Sequence, residues 1–285
     1  MVDRKVLMAA PNFLGEDKSL TPDQKALKRF SVAGKNVVIT GGAGGLGLDS
    51  AYALLEHGAE GVLLLDLNVK QLEETRRTVR ELYPDRTIEV KQVDVTNYKQ
   101  VLKSVEYASK VLKSIDIVLP FAGVSGGEGD GDAPDRVETW QQIMDINTTG
   151  VFYVTKSFGD YMVKQGKGGS IIMTASLAGH SFCVPCPIAY GASKSAVLSM
   201  RTNFAKLYGR AGIRVNSISP GFFKSPMTEE LSGGILEKDF QRKSTTGRFG
   251  QRGEISGIVV LLASGAGSFI SGADLVIDGG YSAKL

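Results

Sequence analysis

Tyr190 and Lys194 are four positions apart, and this spacing is the strongest indication of chemistry in the chain. Side chains at i and i+4 of a helix lie on one face, so a phenol and an ammonium would be neighbours. A nearby cation favours the phenolate and lowers the pKa of a tyrosine from its usual value of about 10. Such a tyrosine can give a proton to a carbonyl oxygen or take one from an alcohol. Because many amphipathic helices carry this pair, its meaning depends on the rest of the chain.

A glycine-rich segment, Thr40–Gly47, lies between a predicted strand and a predicted helix. Glycines there let the backbone approach a pyrophosphate at the positive end of the helix. Asp66 ends the next predicted strand, where its carboxylate would accept hydrogen bonds from the adenosine ribose and repel a 2′-phosphate. No Lys or Arg follows Asp66 until Lys70, which favours NAD over NADP. The alternative role for Asp66 is to cap the following helix.

Apolar strands and amphipathic helices alternate along the chain, which predicts an α/β fold: one doubly wound Rossmann domain with a parallel sheet of about seven strands. The strands are expected at 36–40, 62–66, 88–95, 115–119, 170–175, 213–219 and 275–277. The helices are expected at 46–57, 69–82, 98–112, 137–163 and 190–208.

Three segments depart from this alternation. Residues 1–34 have no sustained period and are interpreted as a surface extension to a domain spanning 35–285. The glycine-rich loop 126–134 and the long connection 221–250 follow strands, where insertions often cover a site. We expect 221–250 to be a lid over the substrate, with a plain surface loop as the alternative for both.

Composition excludes several classes of function. The chain has 285 residues, is 42% hydrophobic and 22% charged, and carries a net charge of +3. Its basic residues are scattered, which argues against nucleic acid, and no apolar run reaches the length of about 18 residues that a membrane span requires. The N-terminus does not resemble a signal peptide. We therefore expect a cytoplasmic protein.

Cysteines and the C-terminus leave alternatives open. Two cysteines cannot form a disulfide framework, and Cys183 and Cys186 are interpreted as free thiols beside the site rather than a redox or metal motif, because few soft ligands accompany them. No metal site is expected. Ala283-Lys284-Leu285 is similar to a peroxisomal signal, so the peroxisome is an alternative to the cytoplasm.

Because these motifs occur in this order, the chain resembles the short-chain dehydrogenase/reductase family over about residues 34–280, and in particular its fungal polyol dehydrogenases and its sugar or carbonyl reductases. The resemblance implies a dinucleotide site, NAD(H) favoured and NADP(H) possible. Its residues would be Gly41, Gly45, Leu46, Gly47, Asp66, Leu67, Asp94, Val95, Ala122, Gly123, Tyr190, Lys194, Pro220, Gly221, Phe223 and Ser225.

The resemblance also implies interconversion of a secondary alcohol and a ketone. Tyr190 would exchange the proton and Ser176 would hold the substrate oxygen. Lys194 would lower the tyrosine pKa and bind the nicotinamide ribose, and Asn147 would hold a proton-relaying water. Alternatives are cofactor-assisted dehydration, epimerisation or cyclisation, and a non-catalytic dinucleotide-binding regulator. A homo-oligomer, tetramer or dimer, is also implied.

One position departs from the family pattern, and the substrate stays open. Phe121 replaces the usual asparagine of Asn-Ala-Gly, which we interpret as a change in packing rather than a loss of catalysis. An apolar pocket is expected, which suits an aromatic or polyketide ketone as well as a polyol. Its candidate lining is Leu177, Phe182, Cys183, Cys186, Phe222, Phe223 and Met227.

Overall fold

The computed structural model describes residues 17–126, 137–180, 186–225, 228 and 235–283. Seven strands form one sheet in this part of the chain, and every neighbouring pair is parallel. The strands are β1 Asn36–Thr40, β2 Gly61–Asp66, β3 Thr87–Gln92, β4 Ile117–Pro120, β5 Gly169–Thr174, β6 Ile213–Pro220 and β7 Asp274–Ile277.

Nine α-helices accompany the sheet in the described residues. They are α1 Pro22–Phe30, α2 Gly45–Glu56, α3 Val69–Leu82, α4 Tyr98–Val111, α5 Val137–Met144, α6 Val151–Gln165, α7 Ile188–Gly209, α8 Ile235–Lys243 and α9 Ser256–Ala263. The predicted doubly wound α/β fold is confirmed.

The order of the strands fixes where a ligand can bind. The sheet runs β3-β2-β1-β4-β5-β6-β7, so the chain moves outward from β1 in one direction and then from β4 in the other. The loops after β1 and β4 therefore diverge to opposite faces and leave a crevice at the carboxyl edge. At this switch point the Ala122 N–H donates to Thr40 Oγ1 at 3.2 Å.

Alternating side chains of each strand enter two separate cores. In β1, Val37 and Ile39 pack on the face covered by α2, α3 and α9, whereas Val38 packs on the face covered by α4, α6 and α7. Both faces are covered, so β1 is buried along its whole length. This explains why its sequence is continuously apolar rather than alternating.

Most boundaries lie within two residues of the sequence predictions, but several elements differ from them. Strand β3 ends at Gln92 rather than Val95, because the Asp94 carboxylate accepts a hydrogen bond from the Thr96 N–H at 2.9 Å and turns the chain. The helix expected over 137–163 is interrupted by a π-helical turn, Asp145–Gly150. Helix α1 was not predicted, although Thr21 and Gln24 form a capping box at its start.

Close contact between α6 and α7 depends on a glycine. A Cβ at Gly159 would lie 2.4 Å from Cε2 of Tyr208, a ring that is 2% exposed. The Tyr208 hydroxyl donates to Asp160 Oδ1 at 3.0 Å and to the Lys156 carbonyl at 3.2 Å, so the ring has little freedom to move. This contact sets the spacing between α7, which carries Tyr190 and Lys194, and α6, which follows directly on the π-helical turn that contains Asn147.

Gly159→Ala should therefore destabilise the protein by about 1–3 kcal/mol, because the added methyl overpacks a fixed ring. The free energy of unfolding from urea titration measures the effect. Gly257→Ala is the matched control: that helical glycine has no atom within 4 Å of its missing Cβ. It should be neutral or stabilising by up to about 1 kcal/mol. Equal effects of the two substitutions would contradict the packing argument.

Candidate active site

A cavity of about 430 Å³ occupies the carboxyl edge of the sheet. Most of the predicted site residues line it: Gly41, Gly45, Leu46, Gly47, Asp66, Gly123, Ser176, Leu177, Cys186, Tyr190, Lys194, Pro220, Gly221, Phe222, Phe223 and Ser225. Phe121, which departs from the family pattern, also lines it, and residues not proposed from the sequence complete the described lining: Gly44, Gln71, Val124, Ser125, Thr174, Ala175, Pro187 and Thr228.

Some predicted residues lie elsewhere. Leu67, Asp94, Val95, Ala122 and Asn147 are outside the described lining, although Ala122 and Asn147 contact its wall. Phe182, Cys183 and Met227 fall outside the described residues, as do Lys284 and Leu285 of the C-terminal tripeptide and nearly all of the 126–134 loop.

The glycine-rich loop fits a diphosphate group. Gly41 has a φ of +69°, and a Cβ there would lie 2.9 Å from the Ala122 nitrogen, so only glycine lets the loops after β1 and β4 meet. A Cβ at Gly47 would lie 2.2 Å from the Gly41 oxygen. Helix α2 begins at Gly44 without a side-chain cap, which leaves its first N–H groups available to an anion.

Asp66 stands beside this loop at the end of β2. Its Oδ2 accepts a hydrogen bond from the Ala43 N–H at 3.2 Å, and its Oδ1 accepts one from the Asn68 N–H at 3.2 Å. The alternative role of helix cap is wrong, because Asn68 caps α3 by accepting from the Gln71 N–H. Asp66 is thus oriented by backbone N–H groups of the glycine-rich loop and of the turn before α3.

Gln71 is a lining residue that sequence reasoning missed. Its Nε2 lies 2.8 Å from the point where a Cβ of Gly44 would stand, so the amide lies against the glycine-rich loop. It occupies the first turn of α3, five residues after Asp66. Its position five residues after Asp66 could have indicated this role, because the first turn of α3 lies at the same carboxyl edge of the sheet as Asp66.

Lys194 is the buried cation of the site. Its side chain projects from α7, is 4% exposed, and donates from Nζ to the Thr174 carbonyl at 3.0 Å. Nζ also lies 5.7 Å from the centre of the Tyr190 ring. Burial lowers the pKa of Lys194 to about 8, because a low-dielectric surrounding disfavours the charged form. The pair expected from the i, i+4 spacing is thus present inside the cavity wall.

Asn147 lies in the π-helical turn and is fully buried. Its Oδ1 accepts from the Val124 N–H and its Nδ2 donates to the Val124 carbonyl, both at 2.9 Å. Nδ2 also lies 3.2 Å from Ser193 Oγ, one residue before Lys194. The extra residue of a π turn redirects a side chain and is frequent at functional sites. Asn147 therefore joins the loop after β4 to the helix that carries the Tyr–Lys pair.

Gly123 lies between these groups. A Cβ there would stand 3.1 Å from Asn147 Oδ1 and 3.5 Å from Lys194 Nζ. Because Gly123 has no side chain, there is room beside the Lys194 ammonium at the cavity wall. A larger residue at position 123 would fill this space.

Ser176 begins a short 3₁₀ turn, Leu177–Gly179, after β5, and its Oγ accepts from the Ala178 N–H at 3.2 Å. The turn packs closely on α7, since a Cβ at Gly179 would lie 2.9 Å from the Lys194 carbonyl carbon. Ser195 Oγ also donates to the Gly179 carbonyl at 2.7 Å. The serine is thereby held against the helix of Tyr190.

A polar cluster holds the far end of this turn. His180 Nε2 lies 2.8 Å from Asp274 Oδ2 and 3.1 Å from Ser219 Oγ, and Ser219 Oγ donates to the same carboxylate oxygen at 2.8 Å. Ser217 donates to the other oxygen of Asp274. His180 and Asp274 are 94 residues apart, so no local pattern could have indicated the contact.

Phe121 is half-buried at the switch point. It packs against the core on the α2 side and lines the cavity, and its N–H donates to the Thr40 carbonyl at 3.2 Å. A phenyl ring thus replaces an amide in the wall beside the glycine-rich loop. The backbone contact between β1 and the loop after β4 is retained through Ala122.

In the part of the chain that the structure describes, no three His, Cys, Asp or Glu residues are grouped to bind a metal ion. Cys186 lines the cavity and is a thiol rather than part of a disulfide. Among these same residues, no helix is both long and apolar enough to cross a bilayer.

The buried charge of Lys194 should reduce stability. Its pKa falls from 10.5 to about 8, so below pH 8 the folded state carries a penalty of up to about 3 kcal/mol relative to the unfolded chain. Between pH 8 and 10.5 the unfolded chain binds more protons, and wild-type stability should rise with pH. Lys194→Met should therefore be more stable than wild type at pH 7, and the difference should vanish towards pH 10.5.

Urea unfolding at pH 7, 8.5 and 10 measures this difference. Lys206→Met, on the exposed face of the same helix, is the control and should show no such pH dependence. A Lys194→Met variant that is less stable than wild type by the same amount at every pH would contradict the burial argument.

The chain is similar in sequence to known oxidoreductases. The family model described as enoyl-(acyl carrier protein) reductase matches residues 41–282. An NAD-dependent glycerol dehydrogenase of Listeria innocua is 34% identical over 90% of this chain and 97% of the relative. A probable NADP-dependent mannitol dehydrogenase of Yarrowia lipolytica is also 34% identical, over 90% of each chain.

A solved structure agrees with these relatives. The NADPH-dependent 3-quinuclidinone reductase of Rhodotorula rubra superposes with a TM-score of 0.83 at 32% identity, covering 93% of this chain and 97% of that one. The relatives thus include enzymes of either dinucleotide, and they bear out the resemblance to polyol dehydrogenases and carbonyl reductases. The chain belongs to the short-chain dehydrogenase/reductase family of oxidoreductases.

Proposed function

We propose that the protein interconverts a secondary alcohol and a ketone by hydride transfer with a nicotinamide dinucleotide. The observation that carries the proposal is the buried Lys194 ammonium beside the Tyr190 ring, in a cavity that also contains Ser176. A proton-exchanging group and a hydrogen-bond donor are then available to one substrate oxygen. The bound nicotinamide supplies or takes up the hydride.

In the reducing direction, Tyr190 gives its hydroxyl proton to the carbonyl oxygen as the carbonyl carbon gains the hydride. Ser176 donates a hydrogen bond to that oxygen and holds it near the phenol. The phenolate that remains on Tyr190 is stabilised by the Lys194 charge. Oxidation of an alcohol runs through the same groups in reverse, with Tyr190 taking the proton.

Asn147 lies outside the described lining of the cavity and supports this arrangement through its hydrogen bonds. It fixes the backbone on both sides of Val124 and reaches Ser193, so it ties the floor of the cavity to the helix of Tyr190 and Lys194. The predicted water that would relay protons to Lys194 would lie beside Gly123, where a side chain is missing.

Tyr190→Phe should reduce kcat by at least about 100-fold, because the phenyl ring has no proton to exchange. The dissociation constant for NADH should change by less than about threefold, since the cation and the glycine-rich loop are intact. Steady-state kinetics and quenching of NADH fluorescence measure the two effects. Tyr161→Phe on α6 is the control and should keep full activity; equal activity of Tyr190→Phe would refute the proton role.

We propose NAD(H) as the favoured cofactor. The Asp66 carboxylate lines the dinucleotide end of the cavity, and no Lys or Arg belongs to the described lining there. A 2′-phosphate would meet a like charge without a compensating cation, which disfavours NADPH. The relatives named above use either dinucleotide, so the argument rests on this chain's own residues.

Wild-type protein should bind NADH at least about tenfold more tightly than NADPH, because of charge repulsion at Asp66. Asp66→Ser should bring the two dissociation constants within about threefold of each other. Fluorescence titration with both dinucleotides is the measurement, and Glu81→Gln at the far end of α3 should leave the preference unchanged. Tighter binding of NADPH by the wild type would contradict the assignment.

The proposal also includes a lid and a homo-oligomer. Residues 221–250 would act as a lid over the substrate, since Phe222 lines the cavity and Phe240 of α8 packs against the Phe222 ring. A second copy of the chain would cover the apolar side chains of Tyr98, Leu102 and Phe152, which are 40–44% exposed on α4 and α6. A homo-oligomer would bury this face.

A further inference from the structure

We infer that the substrate is an uncharged, largely apolar ketone or secondary alcohol of the cyclic or aromatic kind, rather than a sugar, a polyol or a carboxylate. This inference rests on the proposed oxidoreductase function and concerns the wall around Ser176 and Tyr190. Three properties of that wall carry it: its apolar surface, its lack of a cation for the substrate, and its small number of available hydroxyl groups.

Apolar side chains from four separate segments form the wall. They are Val124 after β4, Leu177 in the 3₁₀ turn, Pro187 before α7 and Phe222 after β6. Burying apolar substrate surface against such groups is favourable, whereas burying hydroxyls against them costs their hydrogen bonds to water.

The wall is held in place by its surroundings. The backbone of Val124 is bonded on both sides by the Asn147 amide. The Phe222 ring stacks on Phe249 with centroids 5.5 Å apart and meets the edge of Phe240 at 5.2 Å. A preformed apolar surface of this kind cannot readily turn polar groups towards a polyol.

The charges within the described lining argue against an anionic substrate. The only charged side chains there are Asp66 and Lys194. Asp66 is negative and stands at the glycine-rich loop, and Lys194 is 4% exposed, with its Nζ bonded to the Thr174 carbonyl and 5.7 Å from the centre of the Tyr190 ring. A carboxylate or phosphate on the substrate would therefore be buried without a cationic partner, which is strongly unfavourable.

Hydroxyl groups in the same lining are mostly committed. Ser176 and Tyr190 are needed at the reacting oxygen. Thr228 Oγ1 donates to the Phe223 carbonyl and lies 3.2 Å from Ser225 Oγ. Among the residues that the structure describes, Thr174 Oγ1 has no hydrogen-bond partner, but it is buried and not exposed to the cavity. Ser125 remains as a partner for one further polar group. A sugar alcohol carries a hydroxyl on every carbon, so most of its hydroxyls would lose their hydrogen bonds on entry.

The inference is tested with the full-length protein, NADH and NADPH, and three ketones of similar size. 2-Tetralone is bicyclic and apolar, fructose is polyhydroxylated, and 5-ketogluconate is an anion. We expect kcat/KM for 2-tetralone to exceed that for fructose by about 100-fold or more, with 5-ketogluconate lower still. A kcat/KM for fructose or 5-ketogluconate equal to or above that for 2-tetralone would overturn the inference.

Binding separates this inference from the proposed function. Calorimetry with the protein saturated in NAD⁺ compares 2-tetralol with sorbitol. Tighter binding of 2-tetralol without turnover of any ketone would support the apolar site and refute the redox function. Equal or weaker binding of 2-tetralol would overturn the inference whether or not turnover is seen.

A nearly isosteric substitution tests the wall itself. Val124→Thr replaces one methyl group with a hydroxyl at nearly constant volume. It should lower the ratio of kcat/KM for 2-tetralone to kcat/KM for fructose by about threefold to tenfold. Val163→Thr, at an exposed position on α6, is the matched control and should leave the ratio unchanged. A ratio unaltered in Val124→Thr would contradict the role given to the apolar wall.

Discussion

The buried ammonium of Lys194 is the constraint on which the site depends. A charge that is 4% exposed is costly, and the bonds that offset the cost are few: the Thr174 carbonyl accepts from Nζ, and the Tyr190 ring lies alongside. The lowered pKa of Lys194 records that cost. The same burial strengthens the electrostatic interaction of the ammonium with the neighbouring phenol, because a charge shielded from water is screened less than one in solvent.

Placing that cation requires several parts of the chain to meet. Helix α7 brings Lys194 to the end of β5, and the π turn brings Asn147 to the loop after β4. Gly179 lets the serine turn approach α7, and His180 ties the end of that turn to Asp274 at the start of β7. The chemistry proposed for one tyrosine thus depends on the ends of β4 and β5, the start of β7, helix α7 and the π turn being close together.

The cofactor side depends on backbone geometry instead. At the switch point, the loops after β1 and β4 touch because Gly41 has a positive φ and no side chain. Helix α2 then starts with uncapped N–H groups. Asp66 is oriented by backbone N–H groups on either side. Relatives of this chain are named as NAD-dependent or NADP-dependent enzymes, and our proposal assigns the choice between the two in this chain to Asp66.

Local patterns in the sequence determined much of the fold. The seven strands, the boundaries of β1 and α3 and the glycine-rich turn follow from apolar runs and turn residues, because strands buried on both faces are continuously apolar. Motif order also indicated which residues line the cavity, including Tyr190 and Lys194. These signals are carried by neighbouring residues, so one sequence is enough to read them.

Only the tertiary structure decided how those residues are held. The π turn holds Asn147, whose amide bonds to Val124 and Ser193, 23 and 46 residues away. His180 meets Asp274 across 94 residues, and the burial of Lys194 is a property of everything packed around it. Local periodicity contains no information on such contacts, because they arise when segments distant in the chain compete for the same space and the same hydrogen-bond partners.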